Sequence, residues 1–145
     1  MNRIGAGVLI LLCLLAGAGA EESEMRLSPK PVRDEVRTVV ESQLAALRRG
    51  EIDEAYALAS AGIRRQFSAR VFGQMLRRGY PPLLRNAKAD LGIVRDDGEG
   101  TAQLAVTVMD GLNRSTAYRF WLVLEEEGWR INGVVIEQKP PRGDI

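Results

Sequence analysis

The chain reads as an α+β domain: helices first, then a curved antiparallel sheet on which they pack, leaving a concave pocket. Three observations predict this. Apolar residues recur every three to four positions as far as Gly79, and every two positions from about residue 88 onward. The alternating runs are separated by Asp-Gly and other glycine turns, which join neighbouring strands antiparallel. A serial sheet covered by helices on one side must curl, because sheets twist.

The first 20 residues stand apart from that domain. Met1-Asn2-Arg3 is a short positive lead, and Ile4 to Ala20 carries no charge and ends in Ala18-Gly19-Ala20, a small-residue pattern that a signal peptidase accepts. Cleavage after Ala20 and export to the periplasm or the medium are the expectation. A membrane-spanning helix needs about 20 apolar residues. This run has 17, many of them Gly or Ala, so the membrane would be met only through an uncleaved leader. Cys13 follows Leu12 in mid-run, which is no place for a lipid anchor. It is the only cysteine, so the mature chain would have no disulfide, thiolate nucleophile or cysteine ligand.

Residues 21–29 read as a flexible lead, 30–138 as the domain and 139–145 as a tail. Pro31 sits where a first helical turn tolerates proline, and Val36, Val39, Val40, Gln43, Leu44 and Leu47 make one stripe that ends at Gly50. Ile52, Ala55, Tyr56 and Ala59 suggest a short second helix, broken at residues 61–67. Ser68 is a plausible N-cap for a third helix with Val71, Phe72, Met75 and Leu76 inward, and Pro81-Pro82 forbid its continuation. Four strands follow. They are residues 88–95, the run from Thr101 to Met109, the run from Ser115 past Leu124, and Trp129 to Glu137, where Gly133 can bend the last one.

The ordered set resembles a known pattern. Gln43, Leu44, residues 55–60, Phe67, Phe72, Met75, the GYPPLLR run of 79–85, Gln103, Val106, Asp110-Gly111, Tyr118 and the WRINGV run of 129–134 carry it. They resemble the bacterial family called domain of unknown function 4864, and more broadly the cystatin-like, cone-shaped superfamily of nuclear transport factor 2 and ketosteroid isomerase. The resemblance implies a cone with a concave pocket and brings no catalytic assignment.

Chemistry is narrowed by what is missing. With no histidine, serine–histidine triads, imidazole acid–base catalysis and the commonest zinc sites are excluded. There is no phosphate-binding glycine motif, and the acids of 96–100 are too few for a calcium loop. No cofactor or metal is expected and no residue receives a catalytic role. An isomerase or lyase of the cone type would use a tyrosine beside a carboxylate. Asp110, the one carboxylate considered, precedes a turn glycine and reads as a turn former.

The pocket candidates are therefore Tyr56, Tyr80, Tyr118 and Phe72. Tyr80 either caps the third helix against the sheet or stands at the pocket mouth. Tyr118 reads as core, with its hydroxyl bonded at the rim. Between Glu54 and Asp90 there is no acid, while Arg64, Arg65, Arg77, Arg78 and Arg85 fall there, so an anionic envelope surface is a candidate partner; a solvated helical face is the plainer reading. Export argues against nucleic acid. Trp121 and Val123, beside Met109 and with Arg119 at the edge, make the outward sheet row unusually apolar and suggest a homodimer or another envelope protein docking there. The functional expectation is an exported binding or interaction module, not an enzyme, for an unknown small ligand or envelope protein.

Overall fold

The computed structural model describes residues 24–137; the leader expected over 1–20 and the tail expected over 139–145 lie outside them. In chain order come β1 (Arg26–Leu27), α1 (Lys30–Arg48), α2 (Ile52–Ala57), α3 (Ala61–Gln66), α4 (Ala69–Gly79) and α5 (Pro81–Leu84). Then follow β2 (Lys88–Asp96), β3 (Thr101–Met109), β4 (Ser115–Glu125) and β5 (Gly128–Ile136). The five strands form one antiparallel sheet in the order β1-β2-β3-β4-β5. This is an α+β fold with the helices packed on an open sheet. None of the described helices is long and apolar enough to cross a membrane.

The core follows the two periodicities. Val36, Val40, Leu44 and Leu47 bring the buried stripe of α1 onto the inward residues Leu104, Val106, Phe120 and Leu122 of the central strands. Trp129 and Ile131 complete it from β5, as the alternation predicts. Two serines cap helices: Ser60 Oγ accepts from Ile63 N and Ser68 Oγ from Val71 N, both at 3.2 Å. Gly128, at φ +124°, turns β4 into β5, where the Glu35 carboxylate of α1 accepts from Trp129 N at 3.2 Å. That φ asks for glycine, and a side chain at 128 would also push the Glu35 carboxylate aside.

Three differences from the sequence reading have local causes. The stretch read as a break at 61–67 is largely the helix α3; it buries no residue completely, so it carries no apolar stripe to reveal it. Pro81 and Pro82 end α4 as expected but also begin α5, since a first turn needs no N–H from them. The lead read as flexible contains β1, which pairs Arg26 with Asp96 and Leu27 with Arg95; the buried Ser28 hydroxyl then donates to the buried Asp96 carboxylate.

Two bulges shape the sheet. In β2 the register shifts between Leu91 and Val94, and Arg37 of α1 donates to the carbonyls of Leu91 and Gly92 at 3.3 and 2.7 Å. In β5 Trp121 pairs with Gly133 but Leu122 with Ile131, so one extra residue is accommodated at Asn132–Gly133, the bend expected of Gly133. The shift returns Val134 to the helix side, opposite the buried Phe120.

Candidate functional site

Between the helices and β5 the packing leaves a cavity of about 80 Å³. Its floor is buried: Gln43 of α1, Ala59 of the α2–α3 link, Leu76 and Leu83, and Ile131 of β5. The half-buried Ile63, Phe67, Phe72 and Met75 stand at its mouth, with Tyr80, Gly133 and Val134 along the sheet side. The lining is almost wholly apolar, and none of it is acidic or basic.

Two polar groups meet this space. Gln43 Nε2 is held by Ala55 O at 3.1 Å, which fixes the amide. Its Oε1 takes no partner among the described residues and is not sealed in protein, leaving a positioned acceptor at the floor. Tyr80 donates its hydroxyl to Val134 O at 2.8 Å, so it links the end of α4 to β5 and also lines the cavity. Tyr80 therefore joins helix to sheet and lies along the cavity's sheet side rather than at its mouth. Burial and the neighbouring Tyr118 push its hydroxyl pKa well above the ordinary value.

The other candidates are placed elsewhere. Phe72 lines the mouth, but Tyr56 does not: its ring packs on Phe72 at 5.4 Å between centroids and its hydroxyl donates to Phe67 O at 2.5 Å, with Arg64 O at 3.0 Å. It braces α2 against the α3–α4 link. Tyr118 is fully buried behind Tyr80, 6.1 Å away between ring centroids, and does not line the cavity. Its hydroxyl has no partner among the described residues, which corrects the expected bond at the rim. Burial raises that hydroxyl to about 12, with the Arg85 guanidinium pulling the other way. Asp110 is a turn former, accepting from Leu112 N and Arg114 N at 2.9 and 3.0 Å and from Arg114 Nε at 2.8 Å. Those bonds hold its carboxyl below the usual range.

Arg64, Arg65, Arg77, Arg78 and Arg85 are all exposed. They occupy the last turns of α3 and α4 and the residue after α5, and none makes an ion pair among the described residues. On the outward sheet face Trp121, Val123 and Met109 are half-buried. Arg119 is engaged there, donating to Glu137 at 2.8 and 3.3 Å and to Gln103 at 3.1 Å. The exposed apolar residues on that face are instead Leu27, Ile93 and Val135, 64%, 59% and 44% exposed. Among the described residues no cluster of carboxylates is placed to hold a metal ion.

Sequence reasoning missed one organising residue. Asn86 is buried after α5, donating to Leu83 O and Leu44 O at 2.6 and 3.2 Å and accepting from Arg48 at 2.6 and 3.1 Å. It ties α1 to α5 beside the Leu83 wall of the cavity. A lone asparagine between a proline-rich turn and a strand offers no signal for this.

Helices packed against one end of an antiparallel sheet make a small α+β domain, and the hollow between them is lined by no charged side chain. The chain belongs to the family described as domain of unknown function DUF4864, whose family model matches residues 30–143. No curated protein and no solved structure matches the chain.

Proposed function

We propose that this protein is a non-catalytic binding module of the cone-shaped nuclear transport factor 2-like superfamily, exported by its first 20 residues, which receives a narrow apolar or amphipathic group. The observation that carries the reading is the cavity: apolar walls, a fixed Gln43 acceptor on the floor and half-exposed apolar side chains at the mouth. Binding pockets combine apolar walls with a few placed polar groups in this way. The size limits the guest. An apolar cavity of about 150 Å³ takes one benzene ring, so about 80 Å³ suits the end of an aliphatic chain carrying an N–H or O–H for Gln43. Met75, with its flexible thioether, can widen the mouth.

The isomerase-type alternative has less support. A tyrosine and a carboxylate would have to face the substrate together, yet no carboxylate lines the cavity and Tyr118 lies outside it. The leader expected over Ile4–Ala20 supports export, and the bulged β5 with helices on one face supports the cone.

The test is native mass spectrometry of the protein purified gently from its own compartment, beside Ala59→Leu, which fills the floor. The expected outcome is an added mass on the natural chain that the variant loses. An added mass retained by Ala59→Leu would place the ligand elsewhere, and a bare natural chain that also fails to take up short-chain alcohols would end the pocket reading.

A further inference from the structure

We infer that the open half of the β5 edge, Val134 to Ile136, takes an acidic extended peptide as an added strand, with one aliphatic side chain of that peptide filling the cavity. The inference rests on the cavity being a binding site and names its occupant.

The pairing of β5 with β4 shows which main-chain groups are available. Ile131, Val134 and Ile136 face Leu122, Phe120 and Tyr118. Glu137 N donates to Ala117 O, which makes that pair hydrogen-bonded and the neighbouring Tyr118–Ile136 pair not. The main-chain groups of Ile131, Val134 and Ile136 therefore point away from β4, out of the sheet edge. Ile131 uses both of its groups: its N–H donates to Leu58 O at 2.9 Å and its carbonyl accepts from Ser60 N at 2.8 Å. The link between α2 and α3 thus already lies on the edge as a one-residue parallel strand. Val134 O is taken by Tyr80. The N–H of Val134 and both groups of Ile136 have no partner among the described residues.

Beyond Tyr80 the edge is apolar and meets no partner among the described residues, with Val135 and Ile136 44% and 48% exposed. Strand addition draws affinity from such main-chain groups and specificity from pockets that receive alternate side chains. Val134 lines the cavity, and Ile136, two residues on, shares its face. An added strand would therefore direct every second side chain toward the cavity, whose volume matches an aliphatic tip.

Charge selects the partner. Arg77 and Arg78 lie within one turn of Tyr80, whose hydroxyl sits on the Val134 carbonyl of this edge. Both are exposed and without an ion pair among the described residues, while Glu137 at this edge is held by Arg119. A second copy of this chain would bring the same arginines against themselves. An acidic peptide meets complementary charge instead.

The test uses two displayed octapeptide libraries with Val, Ile, Leu or Phe at alternating central positions, one flanked by Asp and Glu and one by Lys. The acidic library is expected to enrich on the purified protein about tenfold over the basic one and to weaken with added salt. N-methylation of the best peptide at the residue facing Ile136 should cost about tenfold in affinity, the worth of a main-chain bond. Ile136→Pro should cost the same while leaving 1-hexanol binding in the cavity, read from the Met75 methyl signal, unchanged. No enrichment of the acidic library, or indifference of the selected peptide to N-methylation, overturns the inference. If 1-hexanol still shifts Met75 in that case, the edge fails and the pocket stands; if it does not, both fail.

Discussion

The two outer edges of the sheet are covered differently: β2 by a short strand and an arginine, β5 by a helix link and a tyrosine that stop beside an apolar cavity. On β2 the pairing strand β1 covers the end of the strand, the Ser28–Asp96 bond fastens it, and Arg37 occupies the carbonyls of the bulge. On β5 the segment 58–60 and Tyr80 cover Ile131 and part of Val134, and beyond them the edge, beside an apolar cavity, meets no partner among the described residues. Exposed edges invite unwanted pairing and proteins blunt them. The proposed peptide would arrive at the β5 edge because there the uncovered main chain lies beside a hollow.

Breaking the β1 cover of the β2 edge should have the largest effect. Asp96→Ala leaves the buried Ser28 hydroxyl and Gly98 N–H without their acceptor, an expected loss of about 2 kcal/mol in urea denaturation. Ser60→Ala, on the β5 side, removes the α3 cap and the 2.7 Å bond to Asn132, and should cost about 1 kcal/mol by the same measurement. Tyr80→Phe frees Val134 O to solvent and should cost less than about 1 kcal/mol. It should also speed hydrogen exchange along β5 without changing β2.

The smallest change has the opposite sign. Tyr118→Phe deletes a buried hydroxyl that bonds nothing among the described residues, so stability should rise slightly, by no more than about 1 kcal/mol. The pH profile sharpens this. An unfolded tyrosine releases its proton near pH ~10, while folded Tyr118 holds it to about 12. The folded state then binds the extra proton, so stability is level below the unfolded value and falls as pH rises through that window. Tyr118→Phe should make the alkaline fall shallower, as seen in denaturation midpoints measured across it.

What could be read from the sequence was what repeats. The stripes of α1 and α4, the alternation in β3 and β4, the two serine caps and the glycine bend of β5 each leave a local pattern, and Gln43 stood in the buried stripe that reaches the cavity. What escaped depends on distant partners. Two residues of β1 are too few for a period, and Ser28 meets Asp96 from 68 positions away. Alternation turns Tyr118 inward but is silent on whether its hydroxyl finds an acceptor. Tyr56 and Phe72 were equal candidates because their spacing could not show that one braces the wall the other lines.

Methyl and side-chain amide NMR of the purified protein during titration with 1-hexanol tests most directly whether the β5 side is the binding side. Shifts confined to Ile63, Met75, Ile131, Val134 and the Gln43 amide are the expected result. An unmoved spectrum, or shifts centred on Ile93 and Val123 of the outward face, would contradict it.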